Sequence, residues 1–148
     1  MRLFAVVVLV LSIVATGCRS AKDTTGKVML DGKEIVSVKL ECADFCKRVG
    51  TPPFPPFTEK TFAKENGNAL NVFRKAIVNA EKMNGVLNYV VIFYMYLLFD
   101  DGAQKKYVLN VADEDGMNAL LVDTEESSQG YTISKDLTSE LRSFIYGG

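Results

Sequence analysis

The sequence predicts an α+β fold: an antiparallel β-meander with an N-terminal hairpin and two helices packed on one face. Three observations predict it. Apolar residues recur at helical spacing from Ala69 to Met83. The run from Leu87 to Phe99 is almost wholly apolar and rich in β-branched and aromatic residues. The segments after it are short, alternating in polarity and separated by turns of Asp and Gly. A helix, then consecutive antiparallel strands, then a second helix, leaves the helices one sheet face on which to bury their stripes.

Taken in order, Lys27 to Leu30 and Ile35 to Leu40 read as two strands joined at Asp31-Gly32, a dipeptide that supplies the positive φ values of a tight hairpin turn. Val36, Val38 and Leu40 alternate and bury one face. Residues 50–57, Gly-Thr-Pro-Pro-Phe-Pro-Pro-Phe, form an irregular loop because proline fixes φ and donates no ladder hydrogen bond. A structural loop pinned by Phe54 and Phe57 is favoured over a proline-rich ligand, since such short motifs recur by chance. The helix over 69–83 has Asn68 as its expected cap and Gly85 just past its end. Leu87 to Phe99 reads as one long strand, turned by Asp100-Asp101-Gly102. Lys106 to Ala112, Asn118 to Asp123 and Gly130 to Ile133 complete the meander. Leu137, Leu141, Phe144 and Ile145 give a C-terminal helix the apolar stripe it needs, with Ser134 placed to cap it.

Ahead of these elements the chain carries Arg2 as its only charge before Arg19, an apolar stretch from Leu3 to Val14, and then small residues. That is the layout of an export signal. The apolar run stops after about 15 residues, short of the roughly 17 to 25 needed to span a bilayer as a helix. Val14-Ala15-Thr16-Gly17-Cys18 resembles the bacterial lipobox, with Ala15 where Leu is commonest. The resemblance implies that the Cys18 thiol is lipidated, that residues 1–17 are removed, and that the mature chain is held on the extracytoplasmic face of a cell membrane by N-terminal acyl chains. Several such chains, at about 0.8 kcal/mol per buried methylene, anchor far better than one. Residues 18–26 then read as a polar tether, and 27–148 as a single domain.

Composition narrows the chemistry. Without Arg2 the mature chain holds 16 basic and 18 acidic side chains, and no clustered basic face marks a nucleic-acid partner. The chain contains no histidine, which removes the usual neutral-pH base and the commonest zinc ligand. With Cys18 assigned to lipid, Cys42 and Cys46 remain as an even pair. Four residues of extended chain would separate their α-carbons by about 13 Å, so a bridge requires the chain to turn between them, and the spacing leaves bridged and free forms both open. The acidic turn at Asp113-Glu114-Asp115-Gly116 fails as a calcium loop, because Val111 and Val122 stand where carboxylates are required. No catalytic constellation, phosphate loop, metal set or cofactor motif is legible.

A family resemblance covers residues 73 to 145. Phe73 and Ala76-Ile77 on the helix, Gly85, Asp101-Gly102, Tyr107-Val108-Leu109, Asp123-Thr124, Tyr131-Thr132-Ile133-Ser134 and Leu141 together resemble the YhfM-like lipoproteins of endospore-forming Gram-positive bacteria. The chain departs from them at Asn110, near the place of a tryptophan, and in a lengthened turn from Glu125 to Gly130. The resemblance implies a small lipid-anchored domain and supplies no biochemical role.

These readings favour a non-enzymatic binding module that meets an envelope protein. The second reading is an envelope enzyme, or an inhibitor of one, with a site assembled by the fold. The surface expected to bind is one row of the long strand, with Tyr94 and Tyr96 better suited than the alternate row to face water. The loop bearing Phe54 and Phe57 is expected to fold back over that row in the absence of a partner.

Overall fold

The computed structural model describes residues 29–44 and 57–147, so the expectations for the export signal, Cys18, Cys46 and Phe54 lie outside the described residues. Among the described residues, seven antiparallel strands form one sheet. In chain order they are β1 (Ile35–Cys42), β2 (Glu59–Phe62), β3 (Glu81–Lys82), β4 (Phe93–Phe99), β5 (Gln104–Asn110), β6 (Ala119–Asp123) and β7 (Gly130–Ile133). Helix α1 (Gly67–Val78) lies between β2 and β3, and α2 (Lys135–Tyr146) follows β7. The strand order across the sheet is β2-β1-β4-β5-β6-β7-β3, so β4 to β7 are the predicted meander and the fold is α+β, as the sequence implies.

Strand alternation decides which face is core. Along β4, Phe93, Met95, Leu97 and Phe99 are buried, while Tyr94, Tyr96 and Leu98 are half-exposed. The register sets Val38, Leu40 and Cys42 of β1 beside Leu97, Met95 and Phe93, and sets Tyr107 and Leu109 of β5 on the other side of the same row. Both helices close over this face. Ala69, Val72, Phe73, Ala76 and Ile77 of α1 and Leu141 and Ile145 of α2 join those strand residues in one buried cluster. Phe73 is fully buried, with its ring 5.2 Å from that of Phe62.

Polar contacts fix the helices to the sheet. Thr138, fully buried on α2, accepts a hydrogen bond at Oγ1 from the Ala119 N–H (2.9 Å) and donates to the Ser134 carbonyl (2.8 Å). Ser134 stands at the N-cap position as the sequence predicts, yet its side chain makes no capping bond. Lys60 donates to the Phe144 carbonyl (2.7 Å) at the end of α2, a favourable place for a cation because the last carbonyls of a helix carry partial negative charge. Arg142 donates from Nε to the Ala112 carbonyl (3.1 Å) and pairs with Asp115, which holds the acidic turn against α2.

Four expectations need correction. Met29 and Leu30 are helical, so they are not the first strand of a hairpin. The Asp31-Gly32 turn itself does form, with φ of 51° and 69° and a bond from the Lys33 N–H to the Leu30 carbonyl (2.9 Å), but it leads from a helix into β1. The strand beside β1 is instead β2, whose four residues pair from Val38↔Phe62 to Glu41↔Glu59. Helix α1 starts at Gly67 and stops at Val78, where Asn79 caps it through its own amide and backbone N–H to the Lys75 carbonyl. The apolar run from Leu87 enters the sheet as a strand only at Phe93.

Candidate functional site

Residues Met83 to Ile92 carry the chain from edge strand β3 to central strand β4, and they do so across the sheet face opposite the helices. A Cβ at Gly130 would lie 2.7 Å from Leu87 Cδ2 and 3.2 Å from Leu120 Cδ1, which places Leu87 directly on β6 and β7 from that side. Val108 and Val122 are buried there, apart from the main core cluster. Asn110, at the end of β5, fastens the crossing segment. Its Oδ1 accepts from the Ile92 N–H (2.8 Å) and its Nδ2 donates to the Val90 carbonyl (2.5 Å). One side chain thus serves the backbone where the ladder stops, which removes the cost of leaving those groups unpaired.

The other half of this outer face belongs to β1, β4 and β5. Tyr94 lies between Glu41 and Val108, and Tyr96 between Lys39 and Lys106. Lys106 Nζ stands 3.9 Å from the centroid of the Tyr94 ring and 5.4 Å from that of Tyr96, and Lys39 Nζ lies 5.0 Å from Tyr96. The Tyr96 hydroxyl donates to Glu41 (3.2 Å), and Lys39 pairs with Glu59 (3.2 Å). Ammonium groups are attracted to the negative faces of the rings, so the tyrosines and lysines hold one another upright on the strand surface. The result is an amphipathic platform with both charge signs, over which no helix packs among the described residues.

Phe57 is not part of that platform. Its ring stacks on Phe93 at 6.0 Å and 16°, on the helix side of the sheet, where the Tyr146 ring also meets Phe93 edge-on at 6.2 Å. The expectation that Phe57 covers the tyrosine row is therefore corrected. Strand β2 begins two residues later and is zipped to β1, with the Cys42 N–H bonded to the Thr58 carbonyl (2.8 Å), so Phe57 lacks the length of chain to cross to the outer face. Cys42 is buried at the end of β1 beside Phe93 and is disulfide-bonded; Cys46, with which the sequence leaves a bridge open, lies outside the described residues.

Two further hollows shape the surface. One, of about 420 Å³, lies between α1 and the Leu30 to Lys33 turn and is bordered by Arg74 and Lys75. Lys33 there is tied to Asp101 at 2.9 Å; that hydrogen bond raises the Lys33 pKa, while the Ala103 N–H and then Lys33 lower that of Asp101. The other, also about 420 Å³, opens on the outer face between the crossing segment and the ends of β6 and β7. Neither was visible in the sequence, because each draws on residues far apart in the chain and on no recurring motif.

Among the described residues, the titrations that the fold moves are moved away from neutrality. Besides Lys33 and Asp101, burial raises Tyr107 and pushes Tyr146 up to about 12, with Asp113 adding to the latter. Such shifts keep the groups in their ordinary ionic forms and do not create an acid or base poised near pH 7. Among the described residues no three carboxylate or cysteine side chains gather to hold a metal, and no helix is long and apolar enough to cross a membrane. No protein family, curated protein or solved structure matches the chain.

Proposed function

We propose that this protein is an extracytoplasmic lipoprotein, anchored through Cys18, whose domain serves as a non-enzymatic binding module for an envelope partner. The observation that carries the binding role is the outer sheet face at Tyr94 and Tyr96, an aromatic platform bordered by Lys39, Lys106 and Glu41 that no helix among the described residues covers. Tyrosine is well suited to such a surface, because it offers large contact area at low conformational cost together with a hydroxyl that tolerates water. The address rests on Val14 to Cys18 and on the apolar run before it, and the similarity to YhfM-like lipoproteins points the same way.

Cys18→Ala tests the anchor. Metabolic labelling with a fatty-acid analogue is expected to mark the native chain, while the variant should lose the label and accumulate as unprocessed precursor. Label persisting on the variant would overturn the anchor. Crosslinking of the intact protein in membranes, with Tyr94→Ser/Tyr96→Ser as the comparison, tests the face. Capture of the same partners by both forms would remove it from the proposal.

A further inference from the structure

The hollow on the outer face beside β6 and β7 has a lining unlike the rest of the surface. Its floor is apolar, made by Leu87 and Leu120, and Tyr89 supplies an aromatic ring. Asn88, Asn118 and Thr132 border it, and no charged side chain among the described residues does. None of those three polar side chains hydrogen-bonds to any described residue, whereas Asn66, Asn79 and Asn110 elsewhere in the fold each spend their amide on the backbone. Apolar side chains share the border with them. The four exposed large hydrophobic residues among those described are Met83, Val86, Val90 and Met117; two line the hollow, Val90 belongs to the same crossing segment, and Met117 adjoins Asn118.

This combination selects a ligand chemistry. An acidic or basic ligand finds no counter-charge among the described lining residues. A purely aliphatic one would strip water from two amides and a hydroxyl without replacing their hydrogen bonds, at about 1–3 kcal/mol for each. A ring with an apolar C–H face and a rim of hydroxyl and amide groups satisfies both parts: the face lies on the tyrosine and leucine floor, and the rim meets groups that donate and accept. The hollow, about 420 Å³, falls within the roughly 300–1,000 Å³ span of small-ligand sites.

We infer that this hollow binds an uncharged pyranose glycan, with an N-acetylated sugar the best fit, because its amide pairs with Asn88 or Asn118 while its methyl meets Met83 and Val86. The site stands apart from the tyrosine platform, and it rests on the binding-module reading only for its setting in the cell envelope.

Calorimetric titration of the purified full-length chain in detergent with a β-1,4-linked N-acetylglucosamine tetramer tests it. Saturable one-to-one binding is expected. Asn118→Ala is expected to weaken that binding about tenfold, as loss of one well-made hydrogen bond would, and Tyr89→Ala should weaken it further. Tyr94→Ser/Tyr96→Ser should leave it unchanged, so loss of the platform role and loss of this site are separately visible. Because Asn118 is exposed, its variant is expected to melt with the parent protein. No saturable binding, the outcome if the hollow instead takes an apolar side chain of a partner protein, would overturn the proposal. Equal affinity in parent and Asn118→Ala would also overturn it.

Discussion

Phe73→Ala is expected to remove about 3–5 kcal/mol of folding stability, the cost of deleting a buried aromatic ring and leaving a cavity that closes only in part. Phe73 is fully buried and packs on Phe62, so it ties α1 to edge strand β2. Domains of this size hold about 5–15 kcal/mol in all, which makes the loss a large share of the total. In guanidinium titrations the midpoint should fall sharply while the slope stays that of a cooperative two-state transition. A loss below about 1 kcal/mol would mean that the helix does not seal this end of the core.

Thr138→Val is expected to cost about 1–3 kcal/mol although it preserves the shape of the side chain. The hydroxyl links the start of β6 to the first turn of α2, accepting from Ala119 and donating to Ser134. Valine fills the same volume but leaves the Ala119 N–H in a buried place without its partner. Thr138→Ser keeps the hydroxyl and should recover most of the difference, provided the lost methyl costs less than the hydrogen bond. Equal stability of the threonine and valine forms by thermal melting would show that the amide has found another acceptor.

The sequence carried the fold class because the elements that set it are long or strongly patterned. Helix α1 and the stripe of α2 have clear 3.6-residue periodicity, and the turns at Asp101-Gly102 and Gly116 adopt positive φ at glycine, as turn chemistry requires. Strand β2 is not legible in the sequence because four residues with one buried side chain, Phe62, carry too little alternation. The run from Leu87 reads wholly as a strand because its apolar character is real, but the cause differs along its length. Phe93 to Phe99 is apolar as a central strand, whereas Leu87 is apolar because it covers β6 and β7. Hydropathy alone does not separate those two reasons. The tyrosine platform was partly legible, since alternation along β4 divides the two rows. The partners of its rings were not, because Lys39 and Lys106 reach them only through strand pairing across β1 and β5.

If the sheet uses one face to hold the fold and leaves the β1–β4–β5 part of the other for recognition, the two rows of β4 must differ in what they cost to replace. Thermal melting of Tyr94→Ser/Tyr96→Ser beside Met95→Ser, all on β4, tests it most directly. The tyrosine double variant is expected to keep a cooperative transition within about 5 °C of the parent, while Met95→Ser, which buries an unpaired hydroxyl and opens a cavity in the core, is expected to lose about 3 kcal/mol or more. Unfolding of the tyrosine double variant, with Met95→Ser tolerated, would show that the tyrosine row is core and would contradict the assignment of the two faces.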